Sequence, residues 1–298
     1  MMLKHAYLIL VHEYTLVLER LVQLLDNESN GIYIHIDKKT SDVEKKKVEG
    51  LRQMVKRSEL FVFCKYKVFW GTNSIIKAQK LLLTKSLIKK YDYYHFLSGA
   101  DLPVKRGDQI QKFFEENCGR EFIHFGTREY QQDIQQRYNV YHFFTRQLGR
   151  KRDKRFWVDV ETYSLAIQRR LHVDRTRKLK FSFFGGSNWC SITREFAIYV
   201  VKNYRKYERA FYFSQISDEA IWQTIVMDSP YRDNLYVDGF DNNYDACVRY
   251  IDWDRGTPYI FQKEDLEDLI ASKCMFARKF DERCDAEIVE FMYKRLKE

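Results

Sequence analysis

Four short apolar runs, each separated from the next by a segment of helical character, constrain this chain more than any other feature. The first covers residues 7–11 and ends at His12; the second, residues 31–36, ends at the carboxylate of Asp37. Residues 60–63 and 93–97 form the third and fourth, the last stopping at Ser98-Gly99-Ala100-Asp101-Leu102-Pro103. Runs that are apolar at consecutive positions, rather than alternating, suit strands covered on both faces. Leu18, Leu21, Val22 and Leu25 share one helical face between the first two runs, and residues 74–90 read as a helix between the last two. This β-α-β series predicts an α/β domain with a doubly wound, mainly parallel sheet. Ligands of such sheets bind beyond the carboxyl ends of the strands, so His12, Asp37, Trp70 and Asp101 are the first candidates.

No linker-like stretch divides the 298 residues, which contain only 3 prolines and 12 glycines, so a single domain over 1–298 is expected. Within it we expect a nucleotide-binding half (1–118), a basic amphipathic insert (119–182) and an acceptor-side half (183–298). A formal net charge of +9 favours an anionic partner: a phosphorylated small molecule, a nucleic acid or an acidic membrane. The six cysteines are scattered without a Cys-x-x-Cys pair, which argues against zinc and disulfide frameworks and for a reducing compartment. No apolar run approaches the roughly 20 residues of a spanning helix, so a soluble or peripheral, cytoplasmic protein is the expectation.

The insert has its own pattern. Two basic runs, residues 146–155 and 169–180, flank Phe156, Trp157, Val160, Tyr163, Ile167 and Leu171 at helical spacing. Such a helix either turns its apolar stripe to the core or lies on an anionic membrane, such as the inner face of the plasma membrane, where a lipid-linked glycan acceptor resides.

Dinucleotide, P-loop, nucleophile-elbow and His-Glu-x-x-His motifs are missing from the sequence. What it carries instead is an ordered series of local signatures. They are Tyr7-Leu-Ile-Leu-Val-His12, Ile34-His-Ile-Asp37-Lys38, Val68-Phe-Trp70-Gly71 with Ser74, and Phe96-Leu-Ser-Gly-Ala-Asp101-Leu-Pro103. Further on come Gly185-Gly-Ser-Asn-Trp189, Ser217-Asp-Glu219-Ala-Ile-Trp-Gln-Thr-Ile225, Arg249-Tyr-Ile-Asp252-Trp-Asp254 and Phe276-Ala-Arg278-Lys279-Phe280. Together the eight resemble the core-2/I-branching β-1,6-N-acetylglucosaminyltransferase family (glycosyltransferase family 14), which includes the peptide O-xylosyltransferases. The resemblance runs over nearly the whole chain.

That resemblance implies a GT-A-type fold, a UDP-sugar donor, inversion at the anomeric carbon and no metal or other cofactor. Inversion needs one carboxylate to take the acceptor hydroxyl proton during in-line attack. Glu219 matches the family's catalytic glutamate, although Ser217 would also make it an ordinary first-turn acid behind an N-cap, with Asp218 in support. The leaving UDP gains negative charge, and Arg278 and Lys279 match the family's diphosphate-binding cations. Asp37 is expected on the nucleoside, with His12 and Trp70 beside the donor. On the acceptor side stand Trp189, Ser187 and Asn188, with Glu121 and Arg137 in the region where branching enzymes grip acceptor hydroxyls. Xylosyltransferases have aspartate where Asn188 stands, which removes a second base.

GlcNAc is the first choice of donor sugar and xylose the second, with a glycan or lipid-linked glycan as acceptor. A metal-dependent transferase using Asp252 and Asp254, a sugar-nucleotide hydrolase and a basic nucleic-acid-binding protein are the competing readings. No nucleic-acid-binding module signature supports the last, so no nucleic-acid partner is expected.

Overall fold

The computed structural model describes residues 2–297. At its centre lie four parallel strands, β1 (His5–Val11), β2 (Asn30–Ile36), β3 (Glu59–Phe63) and β4 (Tyr93–Ser98), in the order β3-β2-β1-β4. A short antiparallel strand, β6 (Ser191–Thr193), extends the sheet beyond β4. The register explains the unbroken apolar runs. Ile9 pairs with Ile34 and Leu97, and all three join the core on one side of the sheet; Leu8 pairs with Tyr33 and Phe96, which join the core on the other. The α/β expectation with a mainly parallel sheet holds.

Eleven α-helices accompany the strands among the described residues: α1 (Leu16–Leu24), α2 (Asp42–Gly50), α3 (Ser74–Ser86), α4 (Gly107–Glu116), α5 (Arg128–Tyr138), α6 (Thr145–Leu148), α7 (Arg155–Arg170), α8 (Arg194–Glu208), α9 (Ile221–Met227), α10 (Leu266–Ala271) and α11 (Ala286–Lys297). Helices α1 and α11 supply Leu18, Leu21, Ile288 and Met292 to the first core, whereas α3, α8 and α9 supply Leu82, Phe196 and Trp222 to the second. Helix α3 stops at Ser86, four residues short of the sequence expectation, and the chain then turns into β4. None of the described helices is long and apolar enough to cross a membrane.

A second, three-stranded sheet was not legible in the sequence. It consists of β5 (Asp101–Pro103), β8 (Phe276–Arg278) and β7 (Arg249–Ile251), in that order, and pairs Asp101 with Arg278. Its strands are three residues long, too short for periodicity to reveal. Arg249 ties this sheet to the first. The residue is fully buried, and its guanidinium donates to the carbonyls of Phe96, Cys190 and Cys247 and to Ser191 Oγ. These bonds from the two Nη groups offset the cost of burying the charge, although Nε has no partner. The consequence for the site is positional: β8 is brought against the carboxyl end of β4. All six cysteines are free thiols.

Candidate active site

A cavity of about 370 Å³ opens at the carboxyl ends of β1, β2 and β4. His12, Asp37, Trp70, Arg278 and Lys279 all line it, so the five residues expected on the donor come together from four distant parts of the sequence. Asp37 follows directly on β2 and is almost wholly buried. Its Oδ1 accepts from the Lys39 amide at 2.8 Å and the Val68 amide at 3.3 Å, and Lys39 Nζ lies 3.3 Å from Oδ2. The carboxylate thus organises the loop that carries Trp70 while facing the cavity. His12 is 80% exposed on its side chain and lies 3.4 Å from Glu13.

Arg278 is held from two sides. Its Nη1 donates to Ser98 Oγ and Asp101 Oδ1, each at 2.9 Å, and its guanidinium lies 4.5 Å from the ring centroid of Trp189. Asp101 is buried, so this pair is shielded from solvent and fixes the cation at the cavity wall. Lys279 is half-buried and makes no ion pair among the described residues. Arg150, from the basic insert, also lines the cavity and donates to the Thr257 carbonyl at 3.0 Å. Nothing in its local sequence distinguished it from the surrounding basic run.

Glu219 does not line this cavity; it sits in a neighbouring polar cluster. Its Oε2 accepts from the Tyr130 hydroxyl at 2.9 Å and lies 3.9 Å from Arg137 Nη1. Burial pushes its carboxyl above the usual range, and the Tyr130 hydrogen bond and the Arg137 charge partly offset that. Asp218 is pushed up to about 7 by burial and by the adjacent Glu219 charge. Tyr130 was absent from the sequence expectations. It reaches Glu219 because Gly126 and Gly185 leave room for its ring, where a Cβ would collide.

Local backbone geometry fixes the position of Glu219. Residues Ser217–Glu219 form a single 3₁₀ turn entered through Ile216, whose φ of 56° lies in the left-handed region. A β-branched residue there is strained by about 1–2 kcal/mol and persists only when its surroundings enforce it. Here the Ile216 amide donates to the Gly71 carbonyl at 2.8 Å, and the Ile216 carbonyl accepts from the Tyr138 hydroxyl at 3.0 Å. Ser217 is not the helix cap that its position suggested: its hydroxyl donates to Asn73 Oδ1 at 2.8 Å.

The Gly185-Gly-Ser-Asn-Trp189 loop joins this cluster to the cavity. The Gly186 amide donates to the Glu219 carbonyl at 2.8 Å, and a Cβ at Gly186 would strike the His124 carbonyl. Three residues on, Trp189 packs on Arg278 and lines the cavity. Trp189, expected on the acceptor side, thus stands at the wall of the same cavity as Arg278. Ser187 and Asn188 make internal bonds. Both are buried; Asn188 Oδ1 accepts from Gln79 at 2.6 Å, and the Ser187 amide and carbonyl bond to His124 and Gln223.

Glu121 is used internally. Fully buried, it accepts from the Thr193 amide at 2.9 Å and the Thr193 hydroxyl at 2.5 Å, anchoring the start of α8. Arg137 differs, since it lies beside Glu219 with Nη1 free of hydrogen-bond partners. Asp252 is used internally too. Its carboxylate takes the Asp254 and Arg255 amides at 2.9 Å and the Arg255 side chain at 2.5 Å. Among the described residues no three His, Cys, Asp or Glu side chains converge on a metal-sized site.

The model of the Core-2/I-Branching enzyme family matches residues 5–271, and the chain belongs to that family. It is 25% identical over 282 residues to "Xylosyltransferase oxt" of Drosophila pseudoobscura pseudoobscura, covering 88% of this chain and 30% of that one. It is 23% identical over 306 residues to "Xylosyltransferase 2" of Canis lupus familiaris, covering 96% and 33%. The chain thus spans about a third of the length of these relatives. Among solved structures, S. aureus TarS 1-349 in complex with UDP aligns over 42% of this chain and 35% of its own, with 13% identity and a TM-score of 0.31.

Proposed function

We propose that the chain is an inverting glycosyltransferase that moves a sugar from a UDP-sugar to a glycan hydroxyl. One observation carries the reading: Asp37, Trp70, Arg278 and Lys279 converge on one cavity at the carboxyl ends of the central strands. Membership of the family, and relatives described as xylosyltransferases, support it. The GT-A-type donor site expected from the resemblance is consistent with the sheet order around this cavity.

In this mechanism Asp37 accepts from the nucleoside, and the Trp70 ring forms a wall beside it. Arg278 and Lys279 neutralise the charge that builds on the diphosphate as the glycosidic bond breaks. Their fixed positive charges fill the role that a divalent ion fills in other transferases, so transfer proceeds with EDTA present. Glu219 takes the acceptor hydroxyl proton, its basicity raised by burial. Tyr130 and Arg137 hold it ionised and oriented. GlcNAc and xylose are the donor sugars to compare, since a few cleft side chains decide between them.

The test is a panel of UDP-sugars read by thermal shift and by slow donor hydrolysis. A shift with UDP and with one UDP-sugar, but with no adenine nucleotide, supports the reading. No stabilisation by any uridine nucleotide would overturn it.

A further inference from the structure

Helix α7 presents its sequence inside out. Its buried positions are polar: Glu161 Oε1 lies 2.7 Å from His142 Nδ1, and the Gln168 side chain bonds the Tyr141 amide at 2.7 Å and carbonyl at 2.8 Å. His142 is buried in turn, and its amide donates to the Phe213 carbonyl at 2.6 Å. These contacts fix which face of α7 looks outward. On that outer face Phe156 is 68% exposed, Tyr163 73% and Ile167 58%, with Leu171 at 69% just past the helix end. At about 100° per residue, Phe156, Tyr163 and Ile167 fall within roughly 40° of one another. The apolar stripe continues through aromatic contacts: Phe156 to Trp157 at 5.2 Å, Trp157 to Phe144 at 5.3 Å, and on to the exposed Phe143 and Phe213, themselves 5.4 Å apart. An outward apolar stripe of this length is uncommon on a protein that leaves it to water.

The charge around the stripe identifies its partner. Lys151, Arg152 and Lys154 precede the helix, Arg155 opens it, and Arg169 and Arg170 close it. All six are exposed, and none is ion-paired among the described residues. The exposed acids nearby, Asp153, Asp159 and Asp174, are outnumbered two to one by these six cations. A helix with apolar residues on its outer face and unpaired cations at both ends fits the interface of an anionic bilayer, where the stripe enters the headgroup boundary and the cations meet lipid phosphates. The basic run also reaches the donor cavity, which Arg150 lines, so a bilayer under α7 would lie beside the cleft.

We infer that α7 and its basic flanks dock the protein onto an anionic lipid surface. The docking stands independently of sugar transfer; the corollary that the acceptor is lipid-linked rests on the proposed function. The experiment is flotation of the full chain with vesicles of phosphatidylcholine alone, or with about one-third phosphatidylglycerol. The protein is expected to float with the anionic vesicles, to remain in the dense layer with neutral ones, and to be released as salt rises. Phe156→Ser/Tyr163→Ser/Ile167→Ser should lower partitioning at least about tenfold. Arg169→Ser/Arg170→Ser should lower it by about fivefold per residue. Both variants should keep the wild-type melting temperature, since no substituted side chain is buried. Absence of flotation on anionic vesicles, or equal flotation of the triple variant, would overturn the inference. A wild-type dimer by light scattering that the triple variant dissociates would overturn it too, by showing that the stripe is covered by a second copy.

Discussion

The carbonyl of Gly71 accepts a hydrogen bond from the Ile216 amide at 2.8 Å, joining the turn beside Trp70 to the strained residue that leads into Glu219. Gly71 itself has φ of 69°, so both partners sit in the left-handed region. One residue on from Ile216 and two on from Gly71, Ser217 Oγ donates to Asn73 Oδ1 near the same point. The cavity wall at Trp70 and the expected base are thus parts of one hydrogen-bonded unit, although about 145 residues separate them in sequence.

That linkage predicts the effect of Asn73→Ala. Losing one largely buried neutral hydrogen bond costs about 1 kcal/mol, which loosens the Glu219 turn without touching the cavity cations. Transfer kcat should fall about fivefold while the Kd for UDP stays within about twofold. Steady-state kinetics beside calorimetric UDP titration separates the two, and equal loss in both would argue against the linkage.

Arg278 and Lys279 should respond differently to truncation. Arg278→Ala leaves the buried Asp101 carboxylate unpaired, so it should weaken UDP binding and also destabilise the fold by about 3 kcal/mol. Lys279 has no such partner; Lys279→Ala should weaken UDP binding about tenfold at an unchanged melting temperature. Paired thermal melts and UDP titrations of the two variants check the difference.

Tyr130→Phe isolates the tuning of Glu219. The hydroxyl bond lowers the Glu219 pKa against the raising effect of burial, so its removal raises that pKa further. The acidic limb of the kcat/KM profile should move to higher pH, with activity on the alkaline plateau largely retained. An unmoved limb would mean that Tyr130 does not tune the ionisation that governs transfer.

Much of this architecture was readable beforehand. Residues such as Ile9, Ile34 and Leu97 sit in strands buried on both faces, and double burial writes itself into sequence as consecutive apolar positions. His12 and Asp37 followed from those strands, because strand ends converge in a parallel sheet, whereas Trp70 reaches the cavity on the loop seven residues past the end of β3. The placement of Arg278 beside Asp101 was not readable, since it depends on pairing three-residue strands 177 residues apart. Tyr130 was hidden for a related reason: its approach is permitted by Gly126 and Gly185, and a glycine pair does not say which side chain fills its space. For α7 the spacing revealed the apolar stripe but not its direction, which Glu161 and Gln168 decide through His142 and Tyr141.

Glu121 supplies a prediction about stability rather than binding. Burial pushes its carboxyl up to about 8, against the hydrogen bonds from Thr193 that lower it. The folded protein therefore holds this acid protonated where the unfolded chain, near 4.5, would ionise it. Its contribution to stability is complete below about 4.5 and is lost as pH rises toward 8. Glu121→Gln should flatten that part of the stability profile and leave acceptor KM unchanged. Chemical denaturation at a series of pH values, with acceptor kinetics, tests both halves.

Glu219→Gln separates proton abstraction from donor binding. The amide keeps the shape of the side chain and can still accept from Tyr130, but it cannot take a proton. Transfer to acceptor, measured beside UDP binding in the same preparation, should fall by at least about a thousandfold while the Kd for UDP stays within about twofold. A variant that transferred sugar at close to the wild-type rate would contradict the assignment of Glu219 as the base.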